Sequence, residues 1–473
     1  MNLIYNVKDK PKFGQTLVFA FQQLLAIMAA TIAVPAIVGN GMTASAALVG
    51  AGIGTFVYQL FTKFRSPVFL GSSFAFLGSM FAAFSGALTV VELGYLGLIL
   101  GAAFAGLVYV VIAIIVKFVG VKWIGKLMPA VVIGPTVAII GLSLAGNAVG
   151  DMMKGDFGPI VEGAVQPVAS PLIALVCALV TLFVVILCST YGSKRIRLIP
   201  FIIGIIAGYI VALIFTLIGN AADIDALKII DFTPFKNLAA DGVKLSTFIS
   251  LPDITVLKAW KGFSHLTPAY IGTIAVAYIP VAFVVFAEHI ADHKNLSTII
   301  GKDLLEDPGL SRTLLGDGVG SFVGAVFGGC PNTTYGESIG CVAITGNASV
   351  ISITCAAALA VIVAFISPFV AFLDSIPSCV MGGVCMTLYG FIAVSGLKML
   401  QPVDLNENRN LFVASVILIA GVGGLALEFA LKDGQSIKIT TVACALILGI
   451  ITNLMLSKKK TDPEHDEPQQ LIK

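Results

Sequence analysis

The chain reads LVGAGIGTFVYQLF at Leu48–Phe61 and LLGDGVGSFVGAVF at Leu314–Phe327. Gly50, Gly52, Gly54, Phe56, Val57 and Phe61 recur at a constant offset as Gly316, Gly318, Gly320, Phe322, Val323 and Phe327. Shortly after each copy comes a polar-aromatic cluster, Ser72-Ser73-Phe74 in the first half and Thr333-Thr334-Tyr335 in the second. A looser match pairs MPAVVIG (Met128–Gly134) with IPSCVMG (Ile376–Gly382). Identities that keep their order mark an internal repeat. The competing explanation is compositional, because glycines recur wherever membrane helices pack closely.

The composition around the repeat sets the class. Of 473 residues, 58% are hydrophobic and 11% charged, with a mean hydropathy of +1.00. Roughly a quarter of a soluble domain is charged. That excludes a cytosolic globular enzyme and a disordered chain. Lys and Arg number 28 against 26 Asp and Glu, a net charge of +2, so no nucleic-acid partner is expected. The surplus apolar surface must face lipid. All eight cysteines lie in apolar or glycine-rich stretches without zinc-knuckle spacing, and read as small core residues. The opening MNLIYNVKDKPKFGQ lacks the apolar run and cleavage site of a signal peptide, so the first span is expected to act as its own signal.

A membrane helix needs about 20 largely apolar residues. Such stretches begin near Phe13, Thr43, Leu93, Lys126, Val168, Leu198, Thr267, Ser349, Pro377, Leu411 and Ile437. Three more, around Phe74–Phe84, Asp317–Gly329 and Tyr335–Thr345, are shorter or broken by glycine. Together they predict an all-α integral membrane protein with 14 transmembrane segments. Cytoplasmic loops carry the Lys/Arg excess. Fourteen crossings with both termini inside put most of the 28 Lys and Arg there, and Lys228, Lys236, Lys244, Lys258 and Lys261 share one long outer loop. The repeat matches spans 2, 3 and 5 to spans 9, 10 and 12. Each half then holds seven spans, and an odd number inverts the second half, as in alternating-access transporters. The expected division is residues 1–219, an extracytoplasmic loop 220–265, a second repeat 266–457, and a disordered cytoplasmic tail 458–473.

Interrupted spans 3 and 10 point to a binding site. Unpaired backbone is tolerated at membrane depth only where it lines a cavity. Ser72-Ser73-Phe74 and Asn332-Thr333-Thr334-Tyr335-Gly336-Glu337 hold equivalent places, suited to short extended segments followed by helix starts with free N–H donors. A planar, neutral ligand with alternating C=O and N–H groups fits such a site. Ionisable groups at this depth are functional candidates, here Glu337 and Glu288. Glu288 opens the charged run FAEHIADHKN (Phe286–Asn295), which also suits a cytoplasmic helix end. Glu288 and Asp292 are four apart, on one helix face. Close carboxylates in low dielectric share a proton near neutral pH, since burial and like charge oppose a second charge. That makes Glu288, Asp292 and Glu337 a candidate proton-coupling set. His289 and His293 have the spacing of a helical metal pair, but no third ligand supports them and no metal is expected. Gln22 and Gln23 either bond neighbouring helices or line the site.

These motifs resemble, over nearly the whole chain, the nucleobase–ascorbate transporter family and within it the bacterial uracil permeases. The resemblance rests on GSSFAF (Gly71–Phe76), AEHIADHKNLS (Ala287–Ser297), EDPGLSR (Glu306–Arg312) and PNTTYGESIGCVAITG (Pro331–Gly346). It implies a core domain from spans 1–4 and 8–11 and a gate domain from spans 5–7 and 12–14. It implies that Glu288 and Glu337 hydrogen-bond the base, with the backbones of Phe74, Tyr335 and Gly336 adding bonds, Ser73 beside them and Ala30 nearby. It further implies symport with a proton, no other cofactor, and a place in the cell membrane. Four positions bear on how the pattern applies. Ser338 replaces the usual Asn, Gln23 stands where many members have His, and Asp292 stands where some uracil permeases have His. Asp317 is shared with purine-type members as well as with some uracil permeases. Glu at 337 favours uracil over xanthine or uric acid. His289, Gln23, Asp317 and Ser338 are supporting candidates, and a homodimer through the gate helices is left open. Two other classes compete: an inorganic anion transporter of the same architecture, and a membrane metalloenzyme using His289 and His293.

Overall fold

The computed structural model describes residues 3–457 apart from 121–122, 124–126, 162–163, 241 and 431–435; the expected tail 458–473 lies outside the described residues. Eight helices are long and apolar enough to cross a membrane: Phe13–Val38, Ala44–Phe61, Val91–Val119, Ala130–Met152, Pro171–Tyr191, Pro200–Ala222, Pro268–Ile300 and Ser378–Lys398. Phe74–Gly86, Val350–Val363, Asn408–Val422 and Thr441–Leu456 are apolar but shorter. Exposed Leu172, Phe183, Leu187, Ile210 and Leu217 lie on two of the long helices, the outward apolar surface that a lipid solvent accepts. The protein is therefore a multi-pass membrane protein.

The stretch around Asp317–Gly329, expected to be short and broken, is instead one continuous helix, Leu310–Gly328. Arg312, Asp317 and its glycines lower its hydropathy without interrupting its backbone hydrogen bonds. The glycines explain themselves by what they meet. A Cβ on Gly54 would stand 2.7 Å from the Gly320 carbonyl oxygen, and one on Gly320 would stand 2.8 Å from that of Gly54. Gly50 packs on Gly324, and Gly316 packs on Tyr58. Gly54 and Gly320 are counterparts in the repeated sequence, as are Gly50 with Gly316 and Tyr58 with Gly324. The contacts between the two copies of the repeated sequence are thus reciprocal.

The two polar-aromatic clusters continue this relation. Leu70–Ser72 and Asn332–Thr334 are short strands that pair antiparallel, Leu70 opposite Thr334 and Ser72 opposite Asn332. The Ser73 N–H donates to the Pro331 carbonyl at 2.9 Å, and that of Tyr335 donates to the Phe69 carbonyl at 3.2 Å. Thr55 Oγ1 receives the Leu70 N–H at 2.9 Å. Each strand thereby satisfies the other's backbone in the buried interior, as a segment without helical bonds requires. A helix follows each: a short 3-10 turn, Phe74–Phe76, running into Leu77–Gly86, and Gly336–Thr345. The second stops at Gly346, whose φ of +67° places it in the left-handed region that glycine enters without strain. Two further short strand pairs, Ile160–Val161 with Ala164–Val165 and Leu427–Ala430 with Ser436–Ile439, complete the strands among the described residues.

Candidate substrate-binding site

A cavity of about 450 Å³ is lined by Glu288, Asp292, Gly336 and Glu337. Glu288 and Asp292 share one face of Pro268–Ile300, because positions four apart align on a helix. Glu337 sits in the first turn of Gly336–Thr345, a helix whose N-cap, Tyr335, makes no side-chain cap bond. The first N–H groups of a helix have no partner within it and carry partial positive charge. The cavity therefore presents carboxylate acceptors beside backbone donors. Leu388, Phe391 and Phe201 supply apolar walls, and the cavity extends to Ser189, Arg197 and Met399. Arg197 directs its guanidinium to the carbonyls of Gly192 and Thr190, at 2.8 and 2.9 Å.

The other predicted residues fall into distinct places. Asp292 accepts a hydrogen bond from Thr334 Oγ1 at 2.7 Å. His289 and His293 turn away from the cavity and are fully enclosed. His289 Nδ1 lies 2.7 Å from Asp317 Oδ2, and its Nε2 lies 3.0 Å from Thr313 Oγ1. His293 Nε2 lies 2.7 Å from the Tyr58 hydroxyl, which donates to Ser66 Oγ at 2.7 Å. With both rings hydrogen-bonded, the spacing of the two histidines serves a buried network. Among the described residues no group of three or more His, Cys, Asp or Glu side chains could hold a metal ion.

Gln23 and Ser338 meet each other: Gln23 Nε2 donates to Ser338 Oγ at 2.5 Å, and Ser338 Oγ also accepts the Phe69 N–H at 3.0 Å. The pair lies behind the Glu337 helix start, with Gln23 and Ser338 both buried. Tyr335 uses its N–H on Phe69 and its hydroxyl on the Ser72 carbonyl, at 3.2 and 2.8 Å. Of the three residues expected to offer backbone, only Gly336 lines this cavity. Phe74 lines a separate cavity of about 200 Å³ with Ala75, Gly78 and Ile140, and packs edge-on against Tyr389 with ring centroids 5.7 Å apart. Ser73 and Ala30 are buried and stand behind these surfaces. Arg197, Leu388 and Phe391 escape a sequence reading, because each reaches the site from a distant part of the chain without a local motif, and Thr334 is read there only as part of a polar cluster, without its bond to Asp292.

Comparison with known proteins places this arrangement. The fold is that of membrane transporters. The transmembrane domain of a cyanobacterium bicarbonate transporter, BicA, superposes with a TM-score of 0.58 at 14% identity, covering 94% of this chain and 99% of that one. The murine Solute Carrier 26 family member A9 anion transporter in the inward-facing state gives 0.57 at 13% identity, over 95% of this chain and 69% of that one. Residues 14–429 match the model of the permease family Xan_ur_permease. The uracil permease of Bacillus caldolyticus is 38% identical over 96% of this chain and 94% of its own length. Those of Bacillus subtilis (strain 168) and Escherichia coli (strain K12) are 37% and 33% identical, covering 98% and 97% of this chain and the same shares of their own. The chain belongs to this permease family, the nucleobase–ascorbate transporters. It is a transporter and not an enzyme.

Proposed function

We propose that the protein is a proton-coupled symporter that imports a nucleobase, uracil first among them, by alternating access across the cell membrane. One observation carries this reading: Glu288, Asp292 and Glu337, drawn from two separate helices, meet in one cavity beside the start of a helix whose N-cap residue makes no side-chain cap bond. Carboxylates accept the base's N–H groups while the helix start donates to its carbonyls. The same carboxylates exchange the coupling proton, because neighbouring acids in low dielectric cannot all stay charged. Uracil permease relatives covering nearly the whole chain favour uracil.

Fourteen segments in two inverted sevens fit the reciprocal glycine contacts and the paired strands. On that division residues 1–219 and 266–457 are the repeats, 220–265 the outer loop, and the termini cytoplasmic. Spans 1–4 and 8–11 form the core, and the rest the gate. The cavity reaches the basic ends near Arg197, which the charge asymmetry assigns to the cytoplasm.

The test is uptake of labelled uracil into proteoliposomes at acid and neutral outside pH, with and without excess xanthine. Acid-stimulated uptake that xanthine leaves intact is the expected result. Uptake of xanthine instead would overturn the substrate, and uptake indifferent to pH would overturn the coupling.

A further inference from the structure

We propose that Thr334 is the positioning residue for proton coupling, its hydroxyl fixing Asp292 while tying that carboxylate to the substrate-binding segment. The proposal rests on the reading of Asp292 as a coupling carboxylate. Thr334 Oγ1 donates to Asp292 Oδ2 at 2.7 Å across 42 residues of sequence. Thr334 ends the strand Asn332–Thr334, directly before Tyr335, the N-cap of the helix that carries Glu337. Its backbone is pinned by pairing opposite Leu70, and the residue is 1% exposed. The paired backbone and the enclosure of the side chain together aim the hydroxyl. Asp292 faces the other way, into the cavity. The bond thus joins a buried donor on the Glu337 segment to a carboxylate that lines the cavity.

The charged surroundings make that donor consequential. On its own helix Asp292 follows Glu288 by one turn, with His289 and His293 about 100° round from them. Glu337 faces it from Gly336–Thr345. Asp317 faces it from Leu310–Gly328, bonded to His289. Arg197 lines the far end of the cavity, its guanidinium engaged by two carbonyls. The site is rich in acids, and a hydroxyl that donates to a carboxylate favours its ionised form. Because Thr334 is three residues from Glu337, any shift of this segment when the base enters or leaves moves the donor relative to Asp292. Base and proton are coupled through one bond.

The experiment compares wild type, Thr334→Val, Thr334→Ser and Thr334→Cys as full-length chains in proteoliposomes, following labelled uracil uptake against outside pH. Valine keeps the shape and removes the donor, serine keeps the donor, and cysteine keeps a weak one. The half-maximal pH of uptake in T334V should move upward by about one unit, with the Michaelis constant at the acid plateau within about threefold of wild type. T334S should restore the wild-type profile, and T334C should fall between. A T334V profile superimposed on wild type, or a T334S profile shifted like that of T334V, would overturn the proposal. Should T334V fail to reach the membrane, a T334C profile that does not shift would overturn it equally. A wild type whose uptake ignores pH would overturn the coupling reading itself, which keeps the two failures apart.

Discussion

The strand-and-helix segments at Leu70–Gly86 and Asn332–Thr345 use one backbone device for different ends. Both have a short strand, a helix start without a side-chain cap, and a polar cluster at the junction. The first turns Phe74 toward Tyr389 and buries Ser73. The second turns Gly336 and Glu337 into the cavity and ties Thr334 to Asp292. The strand pairing solves the problem both segments share, an unwound chain in an apolar interior. Side chains then differ: one segment packs against Tyr389 and the other presents Gly336 and Glu337 to the cavity.

The sharpest way to break this comparison is to remove chemistry from each side. Glu337→Gln should lower uracil uptake about 100-fold, the scale of losing a charge-assisted hydrogen bond. Ser73→Ala should cost less than about threefold, since no described partner accepts or donates at that buried hydroxyl. Equal losses would refute the division. The shared scaffold is tested next through Gly54, where a Cβ would come within 2.7 Å of Gly320. Gly54→Leu should lower the detergent melting temperature by an overpacking penalty of about 3 kcal/mol or more.

A smaller effect is expected behind Glu337. A double-mutant cycle on Gln23→Ala and Ser338→Ala, read by melting temperature, should give a coupling of about 1 kcal/mol. An additive pair would mean that the short Gln23–Ser338 bond does not support the helix start. The smallest lies away from both segments. Asp156, in the connection after Ala130–Met152, accepts from the Ser378 N–H and hydroxyl at 3.0 and 2.6 Å. Burial pushes its carboxyl up from 3.8 to about 6. A folded value above the unfolded one means that the native state binds the proton more tightly. Stability from this group is therefore lost as pH rises from about 4 to 6. Asp156→Asn should flatten the melting-temperature profile across that window, and an unchanged slope would remove Asp156 as its source.

Much of the architecture is legible in the order of residues. Apolar runs of membrane length locate the long helices, because the bilayer imposes that length. The glycine repeat marks the paired helices, and the polar clusters mark the two strands. Glu288, Asp292 and Glu337 stand out because charge at membrane depth is costly enough to need a reason. Leu310–Gly328 reads as shorter than it is, since hydropathy registers lipid-facing surface and this helix packs against protein. The order of residues answers the questions that solvent poses: which stretches enter the bilayer, and which residues are too polar to lie there idle. Folding alone reveals which of those polar residues share a cavity, that His289 and His293 belong to a network with Asp317, Tyr58 and Ser66, and that Gln23 and Ser338 are partners. Those facts depend on side-chain direction across distant elements. A one-residue turn of a helix, about 100°, exchanges the cavity for the core, and only packing fixes it.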